Sequence, residues 1–242
     1  MSQNPRILIG CPIRSREWAV EAYFKYAVPA AQRATDNFEF TFVVPEGDTA
    51  TIEEIEKATL HHEVKTSLVY TNEPSREDKR TWNTDRYQEL VTVRNRFLTQ
   101  ARELEPDYLL SLDSDIQIHP EQIKGMIESI SENGWDAIGG KTFLSMTGKQ
   151  HPTYGQIKKG HTGAFRRSDS EGVFKVDIIM AIKMMTSAAY NIDYVANRYG
   201  EDIGWSIAAR EQGLTLGWDG RFTSKHVMKP KDVDVFDLRC GW

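Results

Sequence analysis

Asp113, Ser114 and Asp115 follow the apolar run Tyr-Leu-Leu-Ser-Leu at 108–112, so two carboxylates one residue apart close a buried strand. Charge at that position is costly unless something at the strand tip offsets it. Side chains two apart on a strand share a face, so both acids can address one cation at the edge of a sheet. Hard oxygen donors of this kind suit Mg²⁺ or Mn²⁺, ions that complete their shells with water and substrate phosphates. An acidic surface turn has the same three letters, and the motif alone leaves both readings open.

The elements that must position these acids follow the pattern of an α/β domain, with short apolar runs alternating with amphipathic stretches. Residues 6–12 read as a first strand. Residues 18–34 read as a helix that Pro29 should kink or split. Residues 38–44 and 67–70 read as the next strands, and the polar stretch 72–85 as a mobile loop. Tyr87, Leu90, Val91, Arg94, Leu98, Ala101 and Leu104 recur at helical spacing up to Glu105-Pro106, directly before the acid-bearing strand. His119-Pro120-Glu121 opens another helix, which Gly134 stops, and 136–144 reads as a strand. Residues 147–171 read as a loop or hairpin excursion, and 173–185 as a strand pair or one long bent strand. A helix at 203–212 stopped by Gly213, strands at 214–218 and 221–228, and a loose tail from Lys229 complete the pattern.

Arg94 falls on the apolar stripe of its helix, where an unpaired charge is costly. It can snorkel to the helix edge. The preferred reading is that it reaches the pocket of Asp113 and Asp115 and meets an acid or a phosphate there, because its helix runs straight into their strand.

Bulk properties narrow the classes. The chain has 242 residues, 40% apolar and 27% charged, which fits one domain, with a nucleotide-binding half at about 6–118, an acceptor-binding half at about 119–228 and a tail at 229–242. A formal net charge of -5 excludes a wholly basic nucleic-acid binder. It leaves room for a local basic stretch: His151, Lys158, Lys159, His161, Arg166 and Arg167. No apolar run reaches membrane-spanning length, and the N-terminus lacks a signal-peptide pattern. Cys11 and Cys240 have no metal-like spacing, so reduced thiols in the cytoplasm are expected.

Four short motifs in order carry a resemblance. Val-Thr-Val-Arg-Asn-Arg-Phe-Leu at 91–98 precedes the strand ending in Asp113-Ser114-Asp115. Cys11-Pro12-Ile13-Arg14-Ser15-Arg16 closes the first strand, Gly200-Glu201-Asp202-Ile203-Gly204-Trp205 opens a late helix, and His226 follows near the end. Together they resemble nucleotide-sugar glycosyltransferases of the GT-A fold, with an Asp-x-Asp motif, over about residues 6–228. The resemblance implies an α/β fold with a Rossmann-like mixed central sheet flanked by helices, and a smaller acceptor-side β/loop excursion. It implies a UDP- or GDP-linked sugar donor and a divalent cation, Mn²⁺ or Mg²⁺, held by Asp115, His226 and directly or through water by Asp113. Donor contacts are expected from Pro12, Arg14, Arg16, Arg94, Asn95, Asp113, Ser114 and Lys141.

For an inverting transfer, Asp202 is the family-matched base, with Glu201 as neighbour and substitute; in a retaining transfer Asp202 would instead position the sugar or acceptor, and the resemblance leaves both open. Acids that only start a helix and complement its dipole would look the same. Trp205, His161 and Arg166 are expected on the acceptor side. The acceptor is a hydroxyl group, with a hydroxylated base in nucleic acid among the candidates through phosphate contacts of the basic stretch. Trp82, Trp205 and Trp218 either stack on a sugar or base or fill the core.

Two alternatives stand beside this reading. A nucleotidyltransferase or pyrophosphorylase would carry a glycine-rich loop after the first strand, whereas Gly10-Cys11-Pro12-Ile13-Arg14 has one glycine. A non-catalytic nucleotide-sugar-binding protein on the same fold would be indifferent to Asp202→Asn.

Overall fold

The computed structural model describes residues 4–72, 84–146, 149–157, 165–166 and 171–235. In chain order the first half comprises β1 (Ile7–Pro12), α1 (Glu17–Gln32), β2 (Phe38–Pro45), α2 (Thr49–His61), β3 (Thr66–Thr71), α3 (Thr84–Leu104), β4 (Tyr108–Leu112) and β5 (Ile116–Gln117). It continues with α4 (Gln122–Asn133), β6 (Ala137–Lys141), β7 (Phe143–Met146), β8 (Lys149–Pro152), β9 (Tyr154–Ile157) and β10 (Phe165–Arg166). Then come β11 (Val173–Val176), β12 (Ile178–Ile179), β13 (Ile182–Met185), α5 (Ser187–Tyr190), α6 (Glu201–Glu211), β14 (Leu216–Thr223), β15 (Lys225–His226) and a short 3₁₀ turn, Pro230–Asp232.

Eight strands form one sheet in the order β11-β14-β6-β13-β4-β1-β2-β3. β3, β2, β1 and β4 run parallel, as do β6 and β14, while β13 lies antiparallel between β4 and β6. This is the expected mixed sheet. Its inner strands are buried on both faces, which is why β1, β2 and β4 read as near-continuous apolar runs. One layer of core packs α1 and α4 against Ile7, Ile9, Phe40 and Leu110. The other packs α3, α5 and α6 against Leu8, Val43, Leu109 and Trp218. Small sheets β10-β9-β12, β7-β8 and β15-β5 form the excursion beyond the main sheet.

Several local expectations needed correction. Helix α1 is not split at Pro29, whose ring removes one backbone donor, while Arg33 N–H still donates to the Pro29 carbonyl at 3.2 Å. Helix α2 was missed altogether. Its signals were Asp48, which accepts from Thr51 N–H at the N-cap, and Ile55 and Ala58 on the buried face. The apolar stretch 173–185 divides into β11, β12 and β13, and β14 joins the first late strand candidate to the start of the second, whose later part holds β15. The polar loop at 72–85 lies mostly outside the described residues. Gly134, by contrast, is the left-handed C-cap that stops α4, at φ 65°.

Gly10 matters for the site above it. A Cβ there would lie 1.7 Å from the Thr41 carbonyl oxygen of β2. Gly10→Ala is therefore expected to force β1 from β2 and lower stability by about 3 kcal/mol, read from the denaturant midpoint.

Candidate functional site

The site lies where the parallel strands β1 and β4 end, the edge at which open α/β sheets bind ligands. The loop after β1 is pinned from both sides. Ile13 N–H donates to the Val43 carbonyl at 2.9 Å. Ser15, left-handed at φ 50°, donates its N–H to Asp48 Oδ2 at 2.6 Å, and Arg16 N–H reaches Thr51 Oγ1 at 3.2 Å. The N-terminus of α2 thus holds the loop, a role for Asp48 that sequence reasoning did not reach. The Arg16 guanidinium lies 5.2 Å over the Trp18 ring and 3.8 Å from Asp115 Oδ2. Arg14 is half-buried in the same loop, and Pro12 is half-buried at the end of β1.

Arg94 is buried, and it points where its helix aims it. It donates to Asp113 Oδ1 at 2.6 Å and to Ser111 Oγ at 3.1 Å, and its Nη2 lies 3.7 Å from Glu201 Oε1. Burial raises the proton affinity of Asp113, Arg94 opposes that, and Asp202 and Asp115 add to it, leaving the carboxyl above its usual range. Asn95 makes no such contact with the acids. Its side chain accepts from Tyr194 N–H at 2.7 Å and donates to the Tyr194 carbonyl at 3.1 Å, fixing the chain ahead of α6. Ser114 is half-buried between the two acids.

Asp115 parts company with Asp113. Strand β15 pairs with β5 in the register His226↔Ile116, and Val227 N–H donates to the Asp115 carbonyl at 2.7 Å. That register sets His226 Nε2 3.4 Å from Asp115 Oδ1, with both side chains largely buried. Two ligands on neighbouring positions of one ion, each bonded at about 2.0–2.2 Å, lie about 3.0–3.5 Å apart. The pair therefore fits a divalent cation, with donor set one carboxylate and one imidazole.

The acids of α6 belong to a buried charge cluster. Gly200, at φ 124°, turns the chain so that Glu201 and Asp202 stand in the first turn. Asp202 forms an ion pair with Lys183 of β13, and its Oδ2 accepts from Ala181 N–H at 3.3 Å. Lys183 is fully buried, 4.5 Å from the Tyr194 ring and 5.3 Å from the Trp205 ring. Burial alone would raise the Asp202 proton affinity, but Lys183 and Arg94 outweigh it and hold the carboxyl below its usual range. Glu201 moves oppositely: burial and the neighbouring Asp202 push it up to about 7 against the partial opposition of Arg94. Ala181 ties the two acidic groups together, since its carbonyl accepts from Asp113 N–H at 3.1 Å while its own N–H serves Asp202. It does so at φ 59°, a strained conformation for alanine. Lys183 stands inside the apolar run 173–185, and sequence reasoning assigned it no role. A lysine at a buried position of such a run signals a buried partner.

Other expected site residues occupy other positions in the fold. Lys141 is buried at the end of β6, with Nζ 4.0 Å from Glu171 Oε1. Trp205 is fully buried and donates to the Ile192 carbonyl at 3.1 Å, so it presents no face to an acceptor. Trp218 is likewise in the core, against Tyr154. Cys11, buried beneath Asp113 and Asp115, is a free thiol whose proton affinity burial raises. Trp82, Lys158, Lys159, His161, Arg167 and Cys240, and the side chains of His151 and Arg166, lie outside the described residues.

No family model matches the chain, and no curated protein matches it by sequence. Solved structures do match. The mannosyltransferase PcManGT from Pyrobaculum calidifontis, in complex with GDP-Man and Mn²⁺, has a TM-score of 0.64 at 9% identity, over 94% of this chain and 58% of that one. S. aureus TarS 1-349 has a TM-score of 0.55 at 14% identity, over 94% of this chain and 61% of that one. Its complex with UDP-GlcNAc has a TM-score of 0.58 at 14% identity, over 96% and 62%. The chain therefore spans about three fifths of these matched chains, and what it shares with them is the fold.

Proposed function

We propose, from the GT-A fold that this chain shares with those proteins, that it moves a sugar from a UDP- or GDP-linked donor to a hydroxyl acceptor with a divalent cation. The observation that carries this reading is the 3.4 Å approach of Asp115 and His226 at the sheet edge. Asp115 and His226 would hold the ion, and the imidazole favours Mn²⁺ over Mg²⁺. Such an ion, when bound, stabilises negative charge on a leaving diphosphate.

The remaining chemistry belongs to the chain. Arg16, beside Asp115, is the loop cation for the donor's phosphates. Arg94 orients Asp113 as a hydrogen-bond acceptor for a donor hydroxyl. In an inverting transfer the acceptor oxygen bonds to the anomeric carbon as the bond from that carbon to the diphosphate oxygen breaks. The hydroxyl proton passes to Asp202, which Lys183 keeps ionised and oriented. An anionic acceptor, including a hydroxylated base in nucleic acid, is supported by the basic stretch in the sequence alone. No helix of the described residues is long and apolar enough to cross a membrane.

The test is a panel of UDP- and GDP-sugars with Mn²⁺, scored for release of nucleoside diphosphate. Release from at least one donor is expected. Silence across the panel, with no metal-dependent nucleotide binding, overturns the reading. Nucleotide-sugar binding with no effect of Asp202→Asn on any property would favour a binding protein instead.

Glu201 provides a pH prediction. A proton affinity raised to about 7 means that Glu201 ionises as pH climbs through 7, whereas Asp202 is already ionised there. A step in turnover near pH 7 is expected, and Glu201→Gln should flatten it. Because the folded state holds this proton more tightly than the unfolded chain, stability falls as pH rises from about 4.5 to 7. Glu201→Gln should therefore raise the melting temperature by a few degrees at pH 8 and leave it unchanged at pH 4. A second reading rests on the same observation. Both Asp202 oxygens are engaged, so if Asp202→Asn retains turnover and Glu201→Gln loses it, the proton acceptor is Glu201.

A further inference from the structure

On the face of the molecule formed by α1 and α2, Glu21, His61 and His62 bring one carboxylate oxygen and two imidazole nitrogens within 4.8 Å of one another. Among the described residues no other trio of histidine, cysteine, aspartate or glutamate converges in this way. We propose that these three side chains form a metal site, separate from Asp115 and His226, for a borderline transition ion of the Zn²⁺ class, and that the ion ties α1 to α2.

One edge of the site is already set. Glu21 Oε1 lies 3.1 Å from His62 Nε2. Donors on a tetrahedral ion, bonded at about 2.0–2.1 Å, lie about 3.3 Å apart. His62 is held in place, with its ring stacked on buried Phe24 at 5.9 Å between centroids and 19° between planes. The His61 ring meets it edge-on at 4.8 Å. Glu21 and His61 are exposed, so a change of rotamer closes the remaining edges without moving either helix. Two imidazoles with one carboxylate suit Zn²⁺, Co²⁺, Ni²⁺ or Cu²⁺, whereas Mg²⁺ and Ca²⁺ prefer all-oxygen shells. Three protein donors leave the fourth position to water.

Its place in the fold gives the site a consequence. The N-terminus of α2 holds Ser15 and Arg16 through Asp48 and Thr51, and α1 begins directly after Arg16. An ion joining Glu21 of α1 to the C-terminal end of α2 would clamp together the two helices that carry this loop.

The experiment titrates the whole chain with Zn²⁺ by calorimetry and thermal shift, and with Co²⁺ by visible absorption. One equivalent bound at micromolar affinity is expected, with a rise in melting temperature and Co²⁺ d–d bands of a four- or five-coordinate site. Asp115→Ala should keep all three signals. His61→Ala with His62→Ala should weaken binding at least about 100-fold, and Glu21→Gln about 10-fold. Glu21 and His61 are exposed and His62 is partly buried, and a cooperative melt without metal like that of the wild type would show that the variants fold. No uptake by the Asp115→Ala chain overturns the proposal, as does uptake that survives when His61→Ala and His62→Ala are added to Asp115→Ala, or only six-coordinate Co²⁺ spectra. These readouts do not depend on sugar transfer, so the proposal and the proposed function can fail separately.

Discussion

Asp115→Ala is expected to lower turnover on any accepted nucleotide sugar at least about 100-fold and to abolish the metal dependence of nucleotide binding. The cause is local. Asp115 carries the full negative charge of a two-residue donor set whose other member, His226, is neutral as a ligand. Without the carboxylate a divalent ion has only an imidazole at the sheet edge, and Arg16 loses the acid lying 3.8 Å away. Asp115→Asn keeps the shape and one oxygen donor but removes the charge, so it should fall between wild type and alanine. His226→Ala should be milder, about 10- to 100-fold, because it removes a neutral ligand. Titration of nucleoside diphosphate with and without Mn²⁺ gives the decisive comparison. If Asp115→Ala binds nucleotide with the same metal dependence as wild type, Asp115 does not hold the ion.

Lys183→Met is expected to give the largest loss of stability among the substitutions considered, about 3–5 kcal/mol, because it leaves Asp202 buried without its cation. In a chain of this size that corresponds to a fall in melting temperature of about 10 °C or more. Lys183→Arg should restore the stability only in part, since a planar guanidinium is larger than the compact ammonium that pairs with Asp202 at this fully buried position. Lys183→Met with Asp202→Asn should recover part of the loss, because neither buried charge then lacks a partner.

The pH dependence has a defined sign. Asp202 has its folded proton affinity lowered, so its contribution is present above the usual carboxylate range and is lost as pH falls through the folded value. Lys183 has its affinity raised: burial opposes the charge, and Asp202 more than restores it. Its contribution is full below the ordinary lysine range and is lost only in strong alkali. The deficit of Lys183→Met should therefore be full from about pH 5 to 9 and shrink in acid. A deficit independent of Asp202 in the double-mutant cycle would mean that Lys183 acts by packing alone.

The sequence made much of the fold and part of the site legible. The helical spacing of 87–104 and the apolar run before Asp113 stood out because each is a periodic pattern read over a few turns or a few residues. The stop at Gly134 and the acids opening α6 were legible for the same reason: caps and first-turn charges are local chemistry. Arg94 was found because a charge on an apolar stripe conflicts with its surroundings, and that conflict pointed toward Asp113. Helix α2 escaped because only Thr51, Ile55 and Ala58 are buried on it, a weak apolar stripe behind a single N-cap acid, Asp48.

By itself, then, the sequence determined the α/β class, the strand that ends in two acids and the helix that opens with two more, since propensity, periodicity and capping act over neighbouring residues. Only the tertiary structure decided which charges meet. It gave Asp113 to Arg94 and Asp115 to His226, two partners that one motif could not distinguish. It gave Asp202 to Lys183 because β13 lies antiparallel between β4 and β6 and turns that lysine toward the first turn of α6. A buried charge is stable only beside its partner, and the order of strands in the sheet, which no local stretch of chain encodes, decides where that partner stands.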